Sequence, residues 1–417
     1  VKVTSLKLTN LRAIEAAEFR FQPGFNLIVG VNGVGKTSML DALAVCLSAF
    51  VKHANRLRAP VKAFLAEDIR VGADALSVEC GAQIGWVEHR YLIHKPREAS
   101  APQEKKTGMP REQVHDTPGT STFLGPAPEL ATGREPGGRP LAVLFSTNRA
   151  VPSERAPGKG VAAGGVAAAF ADAFADRELR LSEFAAWMRV QGALKAERAA
   201  AGRALAAFED VVARFLPGYA NLRVGGGKAS RLLIDRGSTT VAVRQLSDGE
   251  RGMLALVLDL TRRLAQANPG MSDPAAEAEA VVLIDEIDLH LHPKWQRQIV
   301  RHLTAVFSRC QFIATTHSPQ VIGEVEHDRI QIVADGQVYF PDHSFGVDSS
   351  RVLEEIMHAD PRAQEVKSLL SQISHEVGKQ RYDGARGLLA ELVSRLGEDD
   401  PEVIRVRTLL DFMEGKE

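Results

Sequence analysis

One stretch constrains this chain more than any other. Phe25-Asn26-Leu27-Ile28-Val29 is a short apolar run, Gly30-Val31-Asn32-Gly33-Val34-Gly35-Lys36-Thr37 follows it, and from Lys36 to Phe50 apolar residues recur at helical spacing. A strand, a glycine-rich loop and a helix in that order give the pattern G-x-x-x-x-G-K-[ST] its expected structural context. The glycines let the backbone curl so that several N–H groups point inward. The helix that opens there aims the positive end of its dipole at the same place. Asn32, Gly33, Val34, Gly35, Lys36, Thr37 and Ser38 are therefore candidates for cradling nucleotide phosphates. Lys36 would supply charge to the β- and γ-phosphates, and Thr37 a hydroxyl to Mg²⁺.

A second run, Val281-Val282-Leu283-Ile284-Asp285-Glu286, is apolar and ends in two carboxylates. A buried central strand would deliver them to the C-terminal edge of a sheet, where ligands sit in open α/β folds. Asp285 is expected to hold Mg²⁺ and Glu286 to polarise the attacking water for γ-phosphate hydrolysis. Leu246-Ser247-Asp248-Gly249-Glu250-Arg251 stands just before a long apolar helix, Met253 to Leu264. A hydroxyl, a glycine and a helix N-terminus make a second phosphate binder, so Ser247 and Gly249 join the candidates, and Glu250 in the same turn is counted with them through the resemblance described next. Phe312-Ile313-Ala314-Thr315-Thr316-His317-Ser318-Pro319 ends an apolar strand in a lone histidine. His317 could touch the γ-phosphate and orient the water.

In this order and at these intervals the four motifs resemble the ABC-type ATPases of the SMC, RecF and OLD group. Leu246 to Arg251 is similar to that family's Leu-Ser-Gly-Gly-Gln signature, with Asp248 and Glu250 as departures, and His317 stands at its switch position. Asp285-Glu286-Ile287-Asp288-Leu289-His290-Leu291-His292-Pro293 looks like the RecF/OLD version. Asn148 and Arg149 follow a strand near the place where the family carries a Mg²⁺-contacting glutamine, and Asp288 matches a loop at its dimer interface. The strand end Phe145 to Arg149 and the helices after Arg351 to Met357 most resemble the stand-alone ATPases, of PtuA type, in Septu and retron-linked anti-phage systems. That resemblance implies Mg²⁺-dependent ATP hydrolysis and a homodimer or higher oligomer formed through an ATP sandwich. Each site would then draw on the Ser247 region of a second subunit. It further implies an HNH-type nuclease partner in anti-phage defence and leaves room for a DNA or RNA contact. The alternatives are a RecF-like DNA-repair ATPase and an ATP-gated scaffold with slow turnover.

The expected fold is α/β: an ABC-type ATPase head whose central sheet is flanked by helices, with an inserted helical lobe and a C-terminal helical extension. Residues 1–150 would form the N-terminal half, with a loop-rich insertion at 95–140. Residues 151–217 would be the helical insertion, 218–345 the C-terminal half and 346–417 the extension. The 417 residues, 45% hydrophobic and 25% charged, can bury a full core, which excludes wholesale disorder. A net charge of -1 excludes a globally basic coat for nucleic acid. Cys46, Cys80 and Cys310 stand far apart and read as reduced thiols. The longest apolar stretch, Leu40 to Val51, carries Asp41 and falls short of the roughly 20 residues that span a bilayer. The opening Val1 to Leu8 alternates like a strand rather than a leader, so no membrane contact and a cytoplasmic location are expected.

Weaker signals have plainer readings. His290 and His292 lack a third ligand, and His292 before Pro293 reads as a helix cap. Lys95, Arg97, Lys105 and Lys106 are interleaved with Glu98 and Glu104 and read as a solvated loop. Arg189, Arg198, Arg203 and Arg214 read as surface arginines on alanine-rich helices.

Overall fold

A computed structural model of the chain describes residues 1–57, 61–97, 120–125, 127–128, 138–150, 165–226, 231–334 and 336–415. Their strands, in chain order, are β1 (Lys2–Leu11), β2 (Ile14–Arg20), β3 (Phe25–Val29), β4 (Ala75–Ile84), β5 (Val87–Pro96), β6 (Ser121–Leu124) and β7 (Leu141–Phe145). There follow β8 (Tyr219–Val224), β9 (Leu232–Arg236), β10 (Thr239–Ala242), β11 (Ala280–Ile284), β12 (Gln311–Thr316), β13 (Ile330–Ala334) and β14 (Gln337–Tyr339). The described residues divide into two compact units, Val1–Ser349 and Ser350–Glu417.

The first unit is built on a sheet in the order β14-β13-β3-β12-β11-β7. Every pairing from β13 to β7 is parallel, and only the edge pair β13–β14 is antiparallel. Both faces of such a sheet are covered, which is why β3 and β11 read as unbroken apolar runs and are buried throughout. A second sheet, β2-β1-β4-β5-β6, is antiparallel. The helix Lys36–Ala54 contacts β7 and β11 of the first sheet and β1 and β4 of the second. Packed against both, it is apolar nearly all round, and 15 of its 19 residues are buried.

The helix Asp248–Ala267 is also buried along most of its length. It packs against β7, against the turn Thr147–Ala150, and against the helices Val166–Phe170, Leu181–Leu194 and Ala199–Phe215. Asp259 explains how charged residues survive inside it. Its carboxylate accepts from Arg263 at 2.7 Å and Arg262 at 2.5 Å on the same helix, and from Arg177 at 3.2 Å. Burial opposes the charge, but the three guanidinium groups hold Asp259 well below the usual carboxylate range. The inserted helices pack on the small antiparallel sheet β10-β9-β8 and stay within the first unit rather than forming one of their own.

The insertion expected to be loop-rich also contains ordered sheet. β5 runs to Pro96, and β6 pairs with it antiparallel. Phe123 of β6 stacks edge-on against Phe50 and His53 and tilts over Tyr91. That aromatic packing supplies what a four-residue strand lacks in its own propensity. Lys105, Lys106, Glu98 and Glu104 lie outside the described residues.

The second unit has its own core. Val366, Leu369, Ile373 and Val377 of the helix Gln364–Gly378 meet Ala385, Leu389 and Leu392 of Tyr382–Leu396 and Val403, Val406 and Leu410 of Pro401–Met413. Gly397, at φ +88, ends the middle helix, and the Asp400 carboxylate accepts from the Glu402 N–H at 2.9 Å to cap the last one.

Candidate active site

Four parallel strands, β3, β12, β11 and β7, lie side by side, and their C-terminal ends carry the candidate residues. β3 runs into the phosphate loop. Gly35 sits at φ +98, and a Cβ there would lie 2.7 Å from a side-chain carbon of Ile14, so only glycine fits. The loop delivers Lys36 to the first helical position, where its ammonium donates to the Gly30 carbonyl at 2.7 Å and the Val31 carbonyl at 3.0 Å. Arg12, in the turn between β1 and β2, braces the start of this helix. It donates to Ser38 at 3.5 Å, Asp41 at 2.8 Å and Asp68 at 2.9 Å.

β12 lies between β3 and β11, so its end stands between the loop and the acidic pair. Asp285 is buried, with 6% of its surface exposed. One carboxylate oxygen accepts from the Thr37 hydroxyl at 2.9 Å and the other from the Thr315 hydroxyl at 2.7 Å. Thr315 in turn accepts from the Glu286 N–H at 2.7 Å. Thr316 donates to Asp288, and the His317 N–H reaches the same oxygen at 3.4 Å. Glu286 adopts φ +47, a left-handed conformation uncommon for a residue with a side chain.

These groups share one electrostatic field. Burial lowers the pKa of Lys36, while Asp285, Glu286 and Asp288 work the other way. Burial likewise lowers that of His317, the Lys36 charge adds to the effect, and the same three carboxylates oppose it. His317 is therefore the neutral imidazole at pH 7, able to accept a proton or a hydrogen bond. Thr37 and Asp285 present hard oxygen donors to each other, the donor type that Mg²⁺ selects.

Arg149, near the place of the family's glutamine, bonds the main chain of the acidic pair. Arg149 is 3% exposed. It donates to the carbonyls of Ser146 at 2.8 Å, Asp285 at 2.5 Å and Glu286 at 2.7 Å, with a longer contact to Phe145 at 3.4 Å. Burial brings its pKa down to about 10 against the pull of Asp285, Asp288 and Glu286, so it keeps its charge at neutral pH. Asn148 instead donates to both carboxylate oxygens of Asp176, at 2.8 and 2.9 Å.

The second phosphate-binding candidate forms a separate turn. Ser247 caps the helix Asp248–Ala267 by accepting from the Glu250 N–H at 3.3 Å. Its own hydroxyl and N–H donate to the Glu250 carboxylate at 2.8 and 3.0 Å. The Tyr219 hydroxyl donates to the other Glu250 oxygen at 3.0 Å. Glu250, expected on the phosphate side, is thus engaged in a capping box. Gly249 lies so close to the segment after the acidic pair that a Cβ would sit 2.5 Å from the His290 carbonyl oxygen. Among the described residues no hydrogen bond joins this turn to the phosphate loop, whereas Lys36, Thr37, Asp285, Glu286 and His317 are brought together.

The remaining candidates take structural parts. His292 accepts from the Lys294 N–H at 3.3 Å and caps the short helix Pro293–Gln296. Arg97 is taken up by the carbonyls of Ile69, Arg70 and Ala73. Arg203 donates to the Pro269 carbonyl and Arg214 to that of Ala305. Cys46, Cys80 and Cys310 are free and buried. No helix of the described residues is long and apolar enough to cross a membrane.

Parts of the chain are similar to known proteins. A family model described as "AAA domain, putative AbiEii toxin, Type IV TA system" matches residues 160–323, and one described as "AAA domain" matches residues 5–107. The Retron Ec83 probable ATPase of Escherichia coli is 38% identical over 204 residues, 48% of this chain and 37% of that protein. The Septu protein PtuA of Bacillus mycoides (strain KBAB4) is 43% identical over 77 residues, 18% of this chain and 10% of that protein. The aligned part of the chain thus spans little more than a third of the retron relative's length. The crystal structure of an SMC head bound to the C-terminal winged-helix domain of ScpA shares the fold, with a TM-score of 0.50 and 15% identity over 82% of this chain and 97% of that one. The chain is thus similar in sequence, over part of its length, to the retron and PtuA proteins, and it shares the fold of an SMC head.

Proposed function

We propose that the chain binds and hydrolyses Mg²⁺–ATP at the joined ends of β3, β12 and β11. The contact between the Thr37 hydroxyl and the Asp285 carboxylate, 2.9 Å across 248 residues of sequence, carries this reading. It couples the phosphate loop to the acidic pair through the two side chains that would hold Mg²⁺. When bound, the ion would offset phosphate charge and help order the substrate oxygens. The rest falls to the chain. Lys36 exchanges its loop carbonyls for phosphate oxygens, and the loop N–H groups and the helix N-terminus bind beside it. Glu286 takes a proton from the attacking water, and neutral His317 orients that water or the γ-phosphate. Titrating Mg²⁺–ATP calorimetrically into the chain and into Lys36→Ala tests the site. Binding by the first and none by the second is expected; equal affinities refute it.

Two active sites about a two-fold axis extend the reading. The exposed Ser247 turn is free of the phosphate loop in its own chain and is suited to meeting the γ-phosphate held by a second copy. Glu286→Gln with ATP should then run as a dimer in light scattering, and Ser247→Arg should remain a monomer that still binds ATP. Mixing Ser247→Arg with Lys36→Ala should restore part of the turnover, because one composite site carries neither change. Full turnover by a proven monomer would exclude sharing. The kinship with the retron and PtuA proteins supports a place in anti-phage defence, with a partner nuclease of HNH type cutting nucleic acid under ATPase control. Co-purification from cells that carry the neighbouring genes tests the partner, and recovery of no nuclease would count against it.

A further inference from the structure

The turn that carries Glu286 is gripped from both flanks. On the β12 side, Thr315 accepts the Glu286 N–H through its hydroxyl and the Ile287 N–H through its carbonyl, at 2.7 and 2.9 Å. On the β7 side, the Arg149 guanidinium spans the carbonyls of Asp285 and Glu286. β12 and β7 are the two strands paired with β11, so each neighbour reaches past the end of β11 to hold the turn beyond it. The grip falls where the backbone is least usual, at the positive φ of Glu286.

Among the described residues Arg149 has no carboxylate hydrogen-bond partner, and its four acceptors there are all main-chain carbonyls. A buried cation placed that way is costly unless its position matters or nearby charge offsets it. Asp285, Asp288 and Glu286 supply the offset through space. A planar fork holds two successive carbonyls in one fixed geometry, whereas a lysine meets them as a point charge on a flexible stem. The turn that holds Arg149 is itself anchored. Ser146 and Asn148 both donate to Asp176, and the Leu144 N–H of β7 bonds the Ala173 carbonyl at 2.8 Å. Arg177, next in the chain to Asp176, reaches Asp259 on the helix capped by Ser247. Arg149 thus connects the acidic turn with the segment that also grips the signature helix.

We propose that Arg149 is the positioning residue of Glu286, holding the glutamate's backbone so that its carboxylate stays with Lys36 and His317 at the reacting end of the site. The proposal rests on the reading of Glu286 as the general base. Arg149→Met keeps length and removes every donor. It is expected to lower kcat on the order of a hundredfold, the scale for a displaced catalytic group. The KM for ATP should stay within about twofold, because the phosphate loop is untouched. Arg149→Lys should recover part of the loss, since the ammonium can still donate to these carbonyls without the fixed fork geometry. In a Glu286→Gln background, Arg149→Met should cost less than about a further twofold, because the base it serves is already gone.

A residue that merely stabilised the fold would give effects that multiply, or would raise KM along with lowering kcat. Either result, or an unchanged kcat, overturns the proposal. Should Arg149→Met fail to fold, Arg149→Lys in the two backgrounds decides by the same criterion. The reading of Glu286 is tested separately: if Glu286→Gln alone turns over ATP at the unaltered rate, that reading falls, and the proposal with it.

Discussion

At the scale of single residues, the site depends on side chains that hold other side chains. Thr315 is the clearest case, donating to Asp285 and accepting from the Glu286 N–H while fully buried. Thr315→Val preserves shape but strands both groups. Each buried group left unpaired costs about 1–3 kcal/mol, so the melting temperature and kcat should both fall. Thr315→Ser keeps the hydroxyl and should retain most activity. A valine variant with unaltered melting and turnover would show that the threonine only fills space. As candidates, Lys36, Thr37, Asp285, Glu286 and His317 are legible in the sequence because phosphate and Mg²⁺ chemistry would call for those residue types after apolar strands. Arg149 and Thr315 are not legible as supports. They act on a main chain far away in sequence, and only the strand order β12-β11-β7 reveals what they can reach.

At the scale of elements, the strands of the parallel sheet are legible because burial on both faces leaves little choice but apolar residues. Phe25 to Val29 coincides with β3, and Val281 to Ile284 falls short of β11 by one residue. β6 is not legible because Ser121–Leu124 is too short to show a period, and Phe50, His53 and Tyr91 supply its packing from elsewhere. The helix Asp248–Ala267 is legible, but in sequence the pairing of Ser247 with Glu250 reads as phosphate chemistry rather than as a capping box. Ser247→Ala should destabilise the first unit by about 1 kcal/mol, measurable by denaturant unfolding. Gly249→Ala should cost more, because its Cβ would meet the His290 carbonyl at 2.5 Å and backbone would have to shift. Equal stability of the alanine and unaltered proteins would mean that this contact is looser than the geometry implies.

At the scale of the whole molecule, every residue assigned to nucleotide chemistry lies in the unit Val1–Ser349. A chain ending at Ser349 should therefore bind Mg²⁺–ATP with the affinity of the full chain in calorimetry; loss of binding would assign residues 350–417 a part in the site. Those residues have a core of their own, in which Leu392 is fully buried. Leu392→Ala should cost about 2–5 kcal/mol of that unit's stability. The central claim, that Glu286 activates water against ATP held by Lys36 and Thr37, is met most directly by the rate of phosphate release at saturating Mg²⁺–ATP, compared between the chain and Glu286→Gln. The expected result is steady release by the unaltered chain and release slower on the order of a hundredfold or more by the variant, with ATP affinity retained. Equal rates in the two proteins would contradict it.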